Sequence, residues 1–303
     1  MSDVVAIVCG DLHLCHNRPS ARVDEYWYGV MEHYLGQLRS IQNQCDVPIL
    51  CAGDVFDKWM SPPELINFAM DNMPKVFAVP GQHDLPYHGL SGIRKSAYWT
   101  LVEAGIIVNL TEQETWLQGE ESGIWVSGFP WGSEVKPPPF PTKTHLNIAV
   151  IHAYIWKPGF SYPGAPEKSK TGAWKERLEG FDIAVFGDNH QHFTKAVTFG
   201  GCLIWNCGTF IRRKADEIDE RPCVGLVYDD GTIVPEYLNI GIDQFVDLPE
   251  KVEAKEQNPE LLQFLNELDS LDLDQVDYRT QLRRAADKLE GEARTTLLEV
   301  LEE

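Results

Sequence analysis

The chain has 303 residues, of which 43% are hydrophobic, and its 46 acidic against 26 basic residues give a formal net charge of −20. This apolar content is enough for one large core, which excludes a disordered protein. The negative charge argues against loose binding to polyanions, so any contact with nucleic acid must come from a local basic patch or from bound cations.

The first half of the chain alternates apolar runs with helical spacing, which predicts strand and helix layers around a sheet. The predicted strands are 4–9, 47–52 and 75–79, and the predicted helices are 23–44, 62–73 and 93–104. Further strands are predicted at 106–109, 115–118, 123–128, 146–151, 181–186, 196–199, 202–206, 223–228 and 232–238. Turn signals at 200–201 and 229–231 indicate hairpins among the later strands. We therefore expect an α/β fold with a two-layered mixed sheet flanked by helices.

The C-terminal part of the chain differs in composition from the rest. Residues 1–248 are expected to form one domain, and the charged, apolar-poor segment 249–257 has the composition of a linker. Residues 258–303 show apolar faces at helical spacing, which predicts a helical segment. This segment is either a lid on the body of the protein or an element that binds a partner, and the sequence leaves both open.

Cysteine usage and hydropathy indicate the compartment. The seven cysteines are scattered, odd in number and without a C-x-x-C pair, which favours reduced thiols over disulfides or a structural zinc site. No apolar run approaches the roughly 20 residues that a membrane span needs. The first residues, MSDVVAIVCGD, lack the positive segment of a signal peptide. We expect a soluble, cytoplasmic protein with no membrane association.

Polar side chains follow five of the predicted strands. The motifs are GDLH at 10–13, GDVFD at 53–57, PGQHD at 80–84, the single His152, and GDNHQH at 187–192. Because the carboxyl ends of neighbouring strands form the ligand crevice of an open α/β sheet, we expect these side chains to converge. A lone Gly-Asp after a strand is commonly a structural turn, but five such ends with carboxylate, imidazole or amide groups predict a site for two metal ions.

These motifs resemble the pattern of the calcineurin-like metallophosphoesterases, which is D-x-H, G-D-x-x-D, G-N-H-D, a single His and G-H-x-H. The resemblance covers about residues 4 to 210. It implies a four-layer αββα sandwich with two divalent cations that activate water for attack on phosphorus. Carboxylate, imidazole and amide ligands together suit Mn²⁺, Fe²⁺ or Zn²⁺, of which we expect Mn²⁺. A dinucleotide-binding Rossmann enzyme is disfavoured because no Gly-rich phosphate loop follows the first strand.

The resemblance also implies a role for each motif residue. Asp11 and His13 would bind the first metal, Asp54 would bridge both, and Gln82 and His152 would bind the second. Gln82 departs from the Asn of the family, and its amide oxygen can reach the metal only if its loop lies slightly further back.

The last motif can be aligned in two ways. Holding Gly187 fixed makes Asp188 and His190 the ligands, whereas sliding the frame by two residues makes His190 and His192 the pair. We favour the first register because the strand end fixes the reach of the ligands. His192 would then lie behind a ligand or near the substrate.

The resemblance implies catalytic roles as well. His83 would face the leaving group and protonate it, and Asp84 would orient the imidazole of His83. Asp57 would lie behind the metal ligands.

Three segments are most similar to the SbcD-type nuclease branch of the family: GDVFD, FPWG at 129–132 and CGTFIRR at 207–213. Arg212 and Arg213, followed by Lys214, form the most basic cluster and could hold substrate phosphates. The alternative is a solvated basic turn paired with Asp216 and Glu217.

Aromatic residues are frequent near the predicted site and could either stack on unpaired bases or pack under proline-rich loops. They are Trp59, Tyr87, Trp131, Tyr154, Trp156, Phe160 and Tyr162. The irregular segment 154–166 could form a lid.

Three functions remain open from the sequence. The favoured one is a DNA-processing nuclease, with an ATPase partner or self-association through the C-terminal helices as a further expectation. The second is a phosphatase or phosphodiesterase for nucleotides or phosphoproteins, which the acidic surface favours. The third is a scaffold protein with a weakened metal site, suggested by Gln82 and Asp188.

Overall fold

The structure is a computed structural model that describes residues 2–111, 115–118, 123–138, 145–196 and 201–246. Residues up to Val246 belong to one compact unit. The predicted linker at 249–257 and the predicted helical segment at 258–303 lie outside the described residues. None of the helices within the described ranges is long and apolar enough to cross a membrane.

The first sheet has six strands. They are β1 (Val4–Cys9), β2 (Ile49–Cys51), β3 (Val76–Ala78), β4 (Ile107–Asn109), β11 (Cys223–Tyr228) and β12 (Ile233–Tyr237). Their order is β12-β11-β1-β2-β3-β4. Strands β1 to β4 are parallel, and β11 and β12 add an antiparallel edge. The parallel first half and the late hairpin therefore confirm the prediction.

The second sheet also has six strands. They are β5 (Thr115–Gln118), β6 (Gly123–Phe129), β7 (Leu146–His152), β8 (Ile183–Gly187), β9 (Phe193–Ala196) and β10 (Leu203–Asn206), in the order β5-β6-β7-β8-β10-β9. Strands β6, β7, β8 and β10 are parallel, and β9 forms the predicted hairpin with β10. Strand β9 begins at Phe193, three residues before the predicted start at 196, so it follows His192 directly.

Three helices lie against the first sheet: α1 (Trp27–Cys45), α2 (Pro63–Asn72) and α3 (Ala97–Glu103). The predicted helix at 93–104 is in fact two elements, because Leu90–Lys95 is a 3₁₀ helix. Ser96 separates them, since its hydroxyl oxygen accepts a hydrogen bond from the backbone N–H of Trp99 and so caps α3.

Alternation of side chains along the strands builds the layers of the core. In β1, Ile7 and Cys9 face the helices, whereas Ala6 and Val8 pack against the second sheet. The outer face of the second sheet packs against residues such as Ile155 and Trp174. This part of the chain contains two short 3₁₀ helices, Glu167–Ser169 and Thr171–Trp174. Two packed mixed sheets with helices confirm the predicted α/β sandwich.

Candidate metal centre

The candidate site lies at the carboxyl ends of the parallel strands of both sheets. Asp11 and His13 follow β1, Asp54 follows β2, and Gln82 begins a 3₁₀ turn after β3. The contribution of the second sheet comes from His152, the last residue of β7, and from the loop that begins at Asp188 after β8. The sequence placed these side chains at one edge, and the structure brings them together there.

The backbone at this edge is strained at the predicted ligands. Asp11, His13, Asp54 and Asp188 have positive φ angles of 51°, 44°, 51° and 87°. Such angles are uncommon for residues other than glycine, although Asp and His tolerate them better than most, and they concentrate at functional sites. Hydrogen bonds hold the strained segments: the N–H of Asp11 donates to the Gly53 carbonyl at 2.9 Å, and that of His13 donates to the Asp54 carbonyl at 2.8 Å.

Two glycines allow the close approach of these loops. A Cβ atom at Gly53, whose φ is 95°, would collide with Nδ1 of His152. A Cβ atom at Gly81 would collide with the carboxylate of Asp54. Glycine is therefore required at both positions for sterics, and at Gly53 also for its backbone conformation.

Asp54 lies at the centre of the site with one oxygen held and one unpaired. Its Oδ1 atom accepts a hydrogen bond from the backbone N–H of His83 at 2.9 Å. Its Oδ2 atom is buried without a hydrogen-bond partner and lies 3.5 Å from Nε2 of both His13 and His152. A buried carboxylate oxygen without a partner is costly, so its position between two imidazole nitrogens fits an oxygen shared by two cations.

The potential ligand atoms fall into overlapping groups. Asp11, His13 and His190 form the first group, and Asp11, Asp54 and His152 form the second. A third group, His13, Asp57 and His83, shares His13 with the first, and the ligand atoms of each group lie within 4.8 Å of one another. In the first group, Nε2 of His13 is 3.1 Å from Nε2 of His190. Carboxylate and imidazole groups that converge in this way fit divalent transition metals.

In the absence of metal, burial and the charges of neighbouring groups shift the pKa values of these side chains. Burial raises the pKa of Asp11 to about 6. Burial, reinforced by the charges of Arg213 and the neighbouring histidines, lowers the pKa of His13 well below its usual value, which keeps its imidazole neutral and available as a ligand. Burial opposes charge on His152, yet the carboxylate of Asp54 raises its pKa well above the usual value. The site therefore favours positive charge beside Asp54.

The loop after β8 carries three candidate ligands, Asp188, His190 and His192, which make different contacts. His190, which both registers make a ligand, lies in the first ligand group. Asp188 lies outside the ligand groups; its N–H donates to both carboxylate oxygens of Asp11 at 3.0 Å, and its Oδ1 atom accepts from Nε2 of Gln82 at 2.6 Å. His192 also lies outside these groups; its Nδ1 atom bonds to the Asn206 carbonyl at 2.8 Å, and its ring centroid is 4.4 Å from that of Trp205.

His83 lies beside the first ligand group. The predicted contact between Asp84 and the imidazole of His83 is not formed. The ring centroid of His83 is 4.9 Å from that of His13, and its Nδ1 atom donates to the Asp57 carbonyl oxygen at 2.8 Å. The carboxylate of Asp84 is buried and accepts hydrogen bonds from the backbone N–H groups of Val55, Phe56 and Gly81. Asp84 thus joins the two motif loops to each other, and burial raises its pKa to about 7.

The side chains of the two arginines make contacts within the protein, and the backbone of their turn pairs with Glu217, as one of the two interpretations expected. Arg212 donates to Asp243 at 2.8 Å, and Arg213 donates to the carboxylate of Asp57 at 2.6 Å. Both arginines are buried, whereas Lys214 and Asp216 of the same turn are exposed. These contacts give no support to the expectation that both arginines hold substrate phosphates.

Sequence reasoning missed a role for Glu217. Its Oε1 atom accepts a hydrogen bond from Nδ1 of His190 at 2.8 Å, so that Nε2 of His190 faces His13. Its Oε2 atom accepts from the backbone N–H groups of Arg213 and Lys214. A carboxylate behind a metal-ligating histidine fixes the tautomer and orientation of the ring. The sequence offered no signal for this, because Glu217 lies 27 positions from His190 in an ordinary charged turn.

Glu217 should make the stability of the metal-free protein depend on pH in the acid range. Burial opposes its charge, but the hydrogen bonds from His190 and the backbone lower its pKa from 4.5 to about 2. Between these pH values the unfolded state binds more protons, so this contribution, up to about 3 kcal/mol, is present above pH 4.5 and is lost as pH falls towards 2. Denaturant unfolding should show that Glu217→Gln lowers the free energy of unfolding more at about pH 6 than at about pH 3, and an equal loss at both would contradict this assignment.

The aromatic residues near the site divide into packed and exposed ones. Trp156 is buried and Phe160 packs on the core of the second sheet, so the segment 154–166 is anchored at these points. Tyr87 is 90% exposed and its ring centroid is 6.0 Å from that of Trp59. Trp131 lies 6.2 Å from the ring of His152.

The family model for calcineurin-like phosphoesterases matches residues 5–192. The chain therefore belongs to this family of metal-dependent hydrolases of phosphoester bonds, and the predicted recognition is confirmed at this level. The family binds a divalent metal centre, for which the ligand groups described above are the candidates. A search of curated proteins gives no match.

A comparison with solved structures finds three whose descriptions name a nucleotidase or a phosphodiesterase. A Staphylococcus aureus protein provisionally described as a 5′-nucleotidase has 12% identity and a TM-score of 0.47, with 86% of this chain and 58% of that chain covered. The Haemophilus influenzae NAD nucleotidase has 12% identity and a TM-score of 0.45, with 100% and 60% covered. An archaeal phosphodiesterase has 12% identity and a TM-score of 0.38, with 78% and 100% covered. The chain thus spans less than two thirds of either nucleotidase.

Proposed function

We propose that this chain is a phosphodiesterase that uses two divalent cations, Mn²⁺ in the first instance, to hydrolyse phosphodiester bonds of nucleic acid. The observation that carries the proposal is the Oδ2 atom of Asp54, buried without a hydrogen-bond partner and 3.5 Å from two imidazole nitrogens. A shared carboxylate oxygen is what a pair of closely spaced cations requires, because it offsets their mutual repulsion.

The ligand sets follow from the positions of the side chains. Asp11, His13, Asp54 and His190 would hold the first cation. Asp54, His152 and Gln82 would hold the second. When bound, the cations supply Lewis acidity towards a phosphoryl oxygen and a nucleophile derived from water at neutral pH.

His83 is proposed as the general acid for the leaving group. Its Nδ1 atom donates to the Asp57 carbonyl, which fixes the ring and directs Nε2 away from that carbonyl. The backbone N–H of His83 also donates to Asp54, so the ring is tied to the shared ligand. Such a group could deliver a proton to the departing oxygen without moving far, which is the condition for efficient acid catalysis.

Exposed aromatic surface on the motif loops supports a nucleic-acid substrate. Tyr87 is 90% exposed and has a left-handed backbone with a φ of 54°, and Met60 beside Trp59 is 70% exposed. Tyr87 follows His83 by four residues, so their Cα atoms are at most about 15 Å apart. Aromatic rings at this distance can stack on unpaired bases, each contributing about 1 to 3 kcal/mol. Single-stranded DNA is therefore the first substrate to test.

A second candidate, a phosphodiesterase or phosphatase for nucleotides, is favoured by a different observation. The side chains of Arg212 and Arg213 are occupied by Asp243 and Asp57, and the chain carries a net charge of −20. A long polyanion depends on several free cationic contacts, whereas a nucleotide can be bound by the metal pair and one stacked base.

A substrate panel tests the proposed function. Metal-free full-length protein is loaded with Mn²⁺ and assayed on single-stranded DNA, double-stranded DNA, mononucleotides, cyclic nucleotides and bis-p-nitrophenyl phosphate. We expect two equivalents of bound Mn²⁺ and hydrolysis of the diesters. Turnover of nucleotides without cleavage of any polynucleotide would overturn the nuclease proposal in favour of the second candidate. Binding of less than one equivalent would support the scaffold hypothesis instead.

Replacing Tyr87 by alanine should weaken the binding of nucleic acid without affecting the chemistry. Loss of one stacked base at about 1 to 3 kcal/mol corresponds to a rise in KM for single-stranded DNA of roughly 5- to 150-fold. The KM for bis-p-nitrophenyl phosphate, which has no base, should not change. Tyr228→Ala is the matched control, because Tyr228 pairs with Val4, the first residue of β1, at the end of that strand opposite to Asp11 and His13. An equal effect of Tyr87→Ala on both substrates would rule out stacking.

The C-terminal segment 258–303 stays a proposed site for an ATPase partner or for self-association. Size-exclusion chromatography with light scattering of the full chain and of a chain ending at Val246 tests the second possibility. We expect the oligomeric state to change on removal of the segment if it mediates self-association.

A further inference from the structure

The two positions at which this chain departs from the family pattern contact each other. Gln82 replaces the expected Asn and, in the register that holds Gly187 fixed, Asp188 replaces the expected His, although the two lie 106 positions apart in the sequence. Nε2 of Gln82 donates to Oδ1 of Asp188 at 2.6 Å. The other end of the same amide, Oε1, lies 2.6 Å from Nε2 of His152. One side chain thus connects Asp188 to the second ligand group.

The contact determines which end of the amide faces the cation. A glutamine side chain can present either its carbonyl oxygen or its NH₂ group, and only the oxygen can ligate a metal ion. An ionised carboxylate can only accept hydrogen bonds, so Asp188 takes the NH₂ group. The oxygen of Gln82 is then directed towards His152 and Asp54, where the second cation would bind.

Asp188 is itself firmly placed. Its backbone N–H donates to both carboxylate oxygens of Asp11 at 3.0 Å, and Gly187 before it is the last residue of β8. Its φ of 87° is a conformation that aspartate tolerates better than most residues. The carboxylate of Asp188 nevertheless lies outside the groups of converging ligand atoms among the described residues. The contact that its side chain makes with a predicted ligand is the one to Gln82.

We propose that Asp188 is a positioning residue that orients the amide of Gln82, so that the two departures act as one unit in the second metal site. The longer side chain of Gln82 reaches between Asp188 and His152, which explains why both positions differ from the family pattern. The inference rests on the proposed metal pair. It replaces the direct ligand role that the sequence suggested for Asp188.

A double-mutant cycle on Mn²⁺ affinity tests this inference. Mn²⁺ is titrated into the metal-free full-length protein and into Asp188→Ala, Gln82→Ala and the double variant, with bound metal followed by electron paramagnetic resonance. We expect Asp188→Ala and Gln82→Ala each to weaken the second site by about 10-fold or more. In the double variant the losses should not multiply, because both changes remove the same contact.

A conservative variant distinguishes positioning from direct ligation. Asn in place of Asp188 keeps an oxygen that can accept from Gln82 but removes the charge. Asp188→Asn should therefore retain most of the affinity that Asp188→Ala loses, and circular dichroism of each variant verifies folding. Equal losses in Asp188→Asn and Asp188→Ala, or losses that multiply in the cycle, would overturn the inference while the proposed function stands. Failure of the unsubstituted protein to bind two equivalents would overturn the proposed function itself.

Discussion

Replacing Asp54 by alanine is expected to abolish binding of both cations and to lower the rate of diester hydrolysis by about 10³-fold or more. Loss of one well-placed electrostatic group costs about 10²- to 10³-fold in other enzymes, and Asp54 would serve two cations at once. Elemental analysis after Mn²⁺ loading and dialysis, together with the rate on bis-p-nitrophenyl phosphate, measures both effects.

The matched comparison is Asp54→Asn. Its side chain keeps the shape of aspartate and an oxygen that can accept from the N–H of His83, but it loses the charge that the cations share. We expect Asp54→Asn to fold like the unsubstituted protein. It should nevertheless lose metal affinity and bind less than one equivalent of metal. Full metal content in Asp54→Asn would show that Asp54 is not the shared ligand.

Replacing His83 by alanine should lower the rate by about 10²- to 10⁴-fold while both cations remain bound, because general acid catalysis has this magnitude. The loss should be largest for substrates with a poor leaving group, such as a deoxynucleoside alcohol. It should be smallest for bis-p-nitrophenyl phosphate, whose leaving group departs without a proton. The ratio of the two rates in each variant is the quantity to measure.

His33→Ala is the control for the loss of a histidine. His33 lies on α1, where its Nε2 atom contacts the Asn239 carbonyl, and it belongs to none of the ligand groups among the described residues. Its replacement should leave metal content and rates unchanged. If His83→Ala affected both classes of leaving group equally, His83 would not be the proton donor.

Much of the fold could be predicted because the strands are buried and apolar. Runs such as Val4–Cys9 and Leu146–His152 have few polar residues, so their identity as strands follows from hydropathy alone. The division of the predicted helix at 93–104 into a 3₁₀ helix and α3 was harder to predict, because it depends on one capping hydrogen bond at Ser96. The predicted position of β9 differed from the observed one, because pairing with β10 rather than its own sequence sets the ends of this short edge strand.

The motif residues of the site were predictable because each follows a strand directly. Parallel strands of one sheet end at the same edge, so Asp11 and Asp54 were expected to lie close together. His152 reaches them because the second sheet packs against the first. The groups behind them were not predictable. Glu217 and Asp188 act through hydrogen bonds to residues 27 and 106 positions away, and no local pattern records such contacts.

The arginines and Asp84 show a further limit of sequence reasoning. A charged residue in a sequence indicates that its side chain could bind a ligand. Whether the side chain is free to do so depends on the groups that it contacts in the folded protein. Arg213 is neutralised by Asp57, and Asp84 is satisfied by three backbone N–H groups. Both residues therefore shape the loops that carry the ligands, and Asp84 bonds to backbone N–H groups instead of orienting His83.

The most direct test of the account is the anomalous scattering of crystals of the full chain soaked in Mn²⁺. Two peaks about 3.5 to 4 Å apart, on either side of the Asp54 carboxylate, are expected. One peak should be bound by Asp11, His13 and His190, and the other by His152 and the amide oxygen of Gln82. A single peak, or peaks that leave Oδ2 of Asp54 without a metal contact, would contradict the shared site on which the proposed chemistry depends.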